Sequence, residues 1–108
     1  MPKKSMENLT ETMFYVLMAF RGGELCGIDV ADRIDRFTGG RVRLGPATLY
    51  TILGKFEKEK YIRETSVEGR KRTYAITDKG AAAYETELAR LKQCITDAED
   101  AKWKNYTD

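Results

Sequence analysis

The chain has 108 residues, 42% of them hydrophobic and 33% charged, with a formal net charge of +2. That is the size and composition of one domain with a modest core and a heavily solvated surface. It contains no histidine and only two cysteines, Cys26 and Cys94, which removes histidine bases, His-based triads, the commonest transition-metal ligand, and any disulfide-rich or four-ligand zinc scaffold. The longest apolar stretch, Met13 to Phe20, falls well short of the roughly 20 residues that span a bilayer, and no signal-peptide pattern follows the N-terminal lysines. The expectation is a cytoplasmic domain without cofactor or metal that is not an enzyme.

In chain order, residues 1–7 read as a frayed arm. Asn8 and Glu11 form a variant capping box for a first helix, along which Leu9, Met13, Val16, Leu17 and Phe20 recur at helical spacing. Arg21-Gly22-Gly23 ends it. A second helix is predicted from about Gly27 to Phe37, with Val30, Ala31, Ile34 and Phe37 on its apolar face and Thr38-Gly39-Gly40 as its stop. Val42 to Leu44 is a short strand candidate. Pro46 suits the first turn of a third helix running to about Lys58, whose buried stripe is Leu49, Ile52, Leu53 and Phe56.

At about 100° per residue, Ala47, Thr51, Gly54, Lys55 and Lys58 point away from that stripe, with Thr48 near the boundary and Tyr50 between the faces. This outer face has hydroxyl and basic residues and no acid. Tyr61 to Ser66 and Arg72 to Ile76 read as a hairpin turning at Val67-Glu68-Gly69-Arg70. Thr77 caps a long final helix that extends from about Asp78 toward Trp103.

Charge is unevenly spread. Ten basic and five acidic residues lie between Arg41 and Lys79, leaving that section at +5 and the rest at −3. A positive section on a nearly neutral chain is the footprint of a polyanion binder, although composition alone also fits an ordinary solvated face. The order of elements adds to the first reading. A basic hairpin directly after the third helix is the logic of a winged helix-turn-helix, in which one helix enters the major groove and the wing reaches the neighbouring backbone. The expected fold is mainly α with a small β-hairpin. It divides into a winged helix-turn-helix over residues 1–77 and a C-terminal dimerisation helix over 78–108.

The run Leu44-Gly45-Pro46-Ala47-Thr48-Leu49-Tyr50-Thr51-Ile52-Leu53 resembles the recognition-helix signature L-x-P-x-T-L-Y-x-x-L of the PadR family of bacterial transcriptional regulators. Phe56 to Ile62 loosely matches that family's L-E-x-x-G-L-I, and Gly69 to Gly80 resembles its wing, G-R-x-[KR]-x-Y-x-[LI]-T-x-x-G. Two positions depart: Cys26 stands where an aromatic residue is common, and Lys60 where the family has glycine after the third helix. With one C-terminal helix, the chain looks like the short-tailed branch. The resemblance implies a sequence-specific regulator of double-stranded DNA, most often a ligand-responsive homodimeric repressor.

On this reading the DNA-binding candidates are Pro46, Thr48, Tyr50, Thr51, Lys55 and Lys58 on the third helix, and Arg70, Lys71 and Arg72 on the wing. Tyr74, though part of the motif, is expected to pack. Ala81, Tyr84, Leu88, Leu91, Ile95 and Ala98 form a heptad-like stripe. Part of it should pack on its own subunit. Tyr84, Leu88, Leu91, Ile95 and Ala98, joined by Leu9 and Met13 of the first helix, are expected to pair two copies on a pseudo-palindromic site. The resemblance further implies a flat apolar or aromatic effector between subunits, to which Trp103 could contribute. The competing reading is a winged-helix dimer that binds a small molecule or a protein and has no specific DNA target.

Overall fold

The computed structural model describes residues 9–105. Helix α1, Glu11–Ala19, is capped by Thr10, whose side chain accepts a hydrogen bond from the Met13 amide at 3.1 Å. Thr10 thus takes the role expected of Asn8, which lies outside the described residues. A 3-10 turn, Phe20–Gly22, ends this helix. Strand β1, Leu25–Cys26, leads directly into α2, Gly27–Phe37. Helix α3 spans Pro46–Lys58, with proline in its first turn. Strands β2, Ile62–Glu68, and β3, Lys71–Ile76, form the wing, and α4 spans Asp78–Ala98.

The sheet has three strands, not two, in the order β1-β3-β2. Leu25 pairs with Tyr74 and Cys26 with Thr73, antiparallel. Both β1 residues are buried; this strand was not foreseen from sequence, because two residues show no alternation and their partner lies in a distant segment. The predicted strand at Val42 to Leu44 is a loop instead. The Val42 amide donates to the Thr38 hydroxyl at 3.1 Å, and that hydroxyl donates to the Ile34 carbonyl at 2.8 Å. The segment is folded back onto the end of α2, which leaves it no strand neighbour.

The core is built from the predicted stripes. Phe20, Phe56, Leu17, Leu53, Ile62, Val16 and Val30 are fully enclosed, each large side chain contributing about 1.5–3 kcal/mol of transfer free energy. Tyr74 is buried edge-on to Phe20, centroids 6.4 Å apart, and burial pushes its phenol above its ordinary range. It packs, as expected. Phe37 does not share the buried face of α2. It is the last residue of the helix and is 86% exposed.

Thr77 caps α4 by accepting from the Gly80 amide at 3.0 Å. Its hydroxyl also donates to the Lys60 carbonyl at 2.6 Å, tying the helix start to the end of α3. A Cβ on Gly80 would stand 2.1 Å from the Tyr61 carbonyl oxygen, so only glycine lets the first turn of α4 approach the backbone just before β2. Helix α4 ends at Ala98, short of Trp103, which lies in a separate 3-10 turn, Ala101–Asn105. The Trp103 indole N–H donates to the Asp97 carbonyl, turning the chain back at this point.

Candidate nucleic-acid interface

The outer face of α3 is exposed as its periodicity required. Pro46, Ala47, Thr48, Tyr50, Thr51, Gly54, Lys55 and Lys58 are all accessible, while Leu49, Ile52, Leu53 and Phe56 anchor the opposite face. The helix carries no acid in its first turn, and both lysines fall in its last turns. This surface therefore offers donors and cations without a competing carboxylate at its start.

The wing rises beside it. Glu68 pairs with Lys71 across the two-residue tip Gly69-Arg70. The pairing shifts between Glu64 and Ser66, leaving Thr65 as an extra residue. A bulge of this kind bends a hairpin and increases its twist. Thr65 is used: its hydroxyl donates to Glu24 at 2.7 Å, fixing the wing's base to the loop before β1. Arg70, Lys71 and Arg72 are all exposed.

These cations differ in how committed they are. Arg72 is bonded through Nε to Glu64, and this carboxylate holds its guanidinium still further above its ordinary range. Arg41 pairs with Glu11 at 3.3 Å and lies over the Tyr15 ring, 5.6 Å from its centroid. Arg43 approaches Asp35 at 3.6 Å. Lys55, Lys58, Arg70 and Lys71 have no carboxylate partner among the described residues. The basic section that looked uniform in sequence thus contains both paired arginines, Arg41, Arg43 and Arg72, and accessible cations on α3 and the wing tip.

The predicted DNA-contact residues fall on two flanks. Tyr50, Arg70, Lys71 and Arg72 border a cleft of about 570 Å³ between α3, the wing and the start of α2, where Ile28 and Asp29 also stand. Thr48, Thr51 and Lys55 line the other flank, facing the start of α1. Pro46 opens α3, and Lys58 lies in its last turn. Ile28, 67% exposed, and Asp29 were not singled out from sequence. Their place in the cleft comes from the docking of α2 on β3, which no local pattern encodes.

The residues expected to pair two copies are placed mostly at the α1–α4 seam. Leu9 and Met13 are buried in the subunit's own core. Tyr84 stacks on Phe14, centroids 5.0 Å apart and planes 9° from parallel. Leu88 and Leu91 are half-buried against the same core, whereas Ile95 is 57% exposed and Ala98 is exposed. Trp103 is 63% exposed. Cys26 is buried and Cys94 exposed. Among the described residues, no group of three or more Cys, Asp or Glu side chains could hold a metal ion, and no helix is long and apolar enough to cross a membrane.

Comparison with known proteins agrees with this architecture. An uncharacterized 37.1 kDa protein in transposon TN4556 of Streptomyces fradiae is 29% identical over 101 residues, covering 91% of this chain but only 29% of that protein. The chain therefore spans less than a third of this relative's length. A transcriptional regulator from Clostridium thermocellum shares the fold with a TM-score of 0.68 at 24% identity, over 82% of this chain and 88% of that one. PadR of Bacillus subtilis, solved in complex with operator DNA, superimposes with a TM-score of 0.63 at 25% identity, over 70% of this chain and 45% of that one. The model of the transcriptional regulator PadR-like family matches residues 16–86, from the middle of α1 through the wing into α4. The chain belongs to that family, whose members regulate transcription and are not enzymes.

Proposed function

We propose that the chain binds duplex DNA sequence-specifically as a homodimer and acts as a repressor that releases its operator when a small effector binds. The observation that carries this reading is the exposed face of α3, with Thr48, Thr51, Lys55 and Lys58 beside the uncommitted wing cations Arg70 and Lys71. A protein-docking version of the same helix would favour apolar or acidic residues there. Residues 1–77 would carry DNA contact and residues 78–108 the pairing of copies. Ile95 and Ala98 offer an apolar stripe that their own subunit leaves uncovered, continued by Leu88 and Leu91 and backed by Leu9, Met13 and Tyr84. A two-fold pair would present two α3 helices to half-sites about one helical turn, ~34 Å, apart on a pseudo-palindrome. The fitting location for this role is the cytoplasm.

An apolar or aromatic effector bound between subunits, with Trp103 contributing to its site, would change the distance between the two α3 helices and so misplace them on the operator. Fluorescence anisotropy with the duplex flanking the chain's own gene tests the reading. Tight binding that weakens steeply with salt is expected, and Arg70→Ala combined with Lys71→Ala should lower the salt slope by about two. Absence of salt-dependent affinity, or equal affinity for operator and random duplex alongside tight binding to a protein, overturns it.

A further inference from the structure

An α-helix with its side chains is about 10–12 Å across, and the major groove of B-DNA is about 12 Å wide. A helix lying in that groove therefore has a sugar–phosphate strand against each flank. The two flanks of α3 are unlike. One borders the cleft shared with the wing. The other, made by Ala47, Thr48, Thr51 and Lys55, is one wall of an open groove of about 540 Å³, and its opposite wall is the N-terminal turn of α1 at Thr10, Thr12 and Met13.

We propose, on the reading that α3 enters duplex DNA, that this second groove seats the sugar–phosphate backbone of one strand, and that Thr12 is a phosphate contact supplied from outside the helix-turn-helix. The occupant follows from charge. No carboxylate lines the groove among the described residues. Glu11, the acid of the first turn of α1, lines the separate groove between α1 and α4 and is paired with Arg41. Lys55 supplies the cation. Thr48, Thr51 and Thr12 supply hydroxyls, each able to donate to a phosphate oxygen.

The Thr10 hydroxyl accepts from the Met13 amide as the cap of α1 and keeps its own proton, so Thr10 and Thr12 are the two hydroxyls of the α1 wall. The wing-side cleft, by contrast, includes Asp29 and relies on Arg70 and Lys71. The two strands are thus held differently, one by hydroxyls and a lysine, the other by the wing. Thr12 precedes residues 16–86, the segment matched by the family model.

The test uses the full chain, a fluorescein-labelled mixed-sequence duplex and anisotropy across a salt series. Thr12→Asp places an anion against the phosphates, yet an acid in the first turn of a helix complements its N-terminal partial charge, so α1 is retained. Thr86→Asp, the same change at an exposed position of α4, is the control for net charge. Thr12→Asp should weaken binding about tenfold, against about twofold or less for Thr86→Asp. Thr12→Val, which removes only the hydroxyl, should weaken it a few-fold, and Lys55→Gln should lower the salt slope by about one.

Equal effects of Thr12→Asp and Thr86→Asp overturn the groove while leaving α3 and the wing as the DNA-binding surface. A folded wild-type chain that fails to bind the duplex at low salt overturns the DNA-binding reading, and the groove with it.

Discussion

Lys60 holds a backbone conformation that costs any side chain. Its φ is +63°, the one positive value at a non-glycine among the described residues. The Tyr61 amide donates to the Phe56 carbonyl at 2.8 Å and the Lys60 amide to the Glu57 carbonyl at 3.0 Å. These bonds, with the Phe56 and Tyr61 rings 5.7 Å apart, make a Schellman motif with its apolar clasp, in which the left-handed position normally belongs to glycine. The departure visible in the sequence at Lys60 is therefore stored strain at the end of α3. Lys60→Gly should stabilise the fold by about 0.5–1 kcal/mol, the relief of a left-handed side chain less the added freedom of the unfolded chain. A rise in the urea midpoint at unchanged slope would show it.

Glu64 acts on Arg72 in a comparable one-residue way. The pair is surface-exposed and adds little to stability, but it withholds a cation from the wing. Glu64→Gln should tighten binding to duplex DNA a few-fold at low salt and steepen the salt slope by up to about one. An unchanged slope would show that Arg72 stays off the DNA even when released.

At the scale of elements, the α1–α4 seam carries an unusual charge. Glu87 is 5% exposed, and its carboxylate accepts from Arg90, with Nε at 2.9 Å from Oε1. That hydrogen bond holds the Glu87 carboxyl below the usual carboxylate range despite burial, which acts the other way. A carboxyl with a lower value folded than unfolded binds fewer protons in the native state. Its stabilisation is complete above the unfolded value, about 4.3, and is lost as pH falls below it. Chemical denaturation should therefore show stability falling from about pH 5 downward, and Glu87→Gln should flatten that decline while lowering stability at neutral pH.

The helices themselves were legible element by element. The stripes of α2 and α3, the proline start of α3 and the Thr77 cap all come from local spacing and capping chemistry. The ends were less so. Phe37 continues the apolar period of α2 but is its last residue and is exposed. The apolar period of α4 likewise outlasts the subunit's core, which stops near Leu91.

For the whole molecule, the proposed pairing of two copies is tested at the last turns of α4. Beyond Leu91 the helix leaves its own core, and Ile95 is exposed at a position where its subunit makes no use of it. Ile95→Asp should convert a dimer to a monomer in analytical ultracentrifugation. It should shift the monomer's own stability by no more than about 0.5 kcal/mol, as expected of an exposed site. A sedimentation profile unchanged from wild type would remove this stripe from the dimer surface.

Periodicity, capping and turn residues by themselves determined the helices, the hairpin and the cationic, acid-free face of α3, because each depends on neighbours within a few positions. Only the tertiary structure decided that Leu25–Cys26 completes the sheet, that Val42 to Leu44 does not form a strand, and that the start of α1 stands across a groove from Thr48, Thr51 and Lys55. Those outcomes depend on pairing and packing between segments distant in the chain, which leave no periodic mark in either partner.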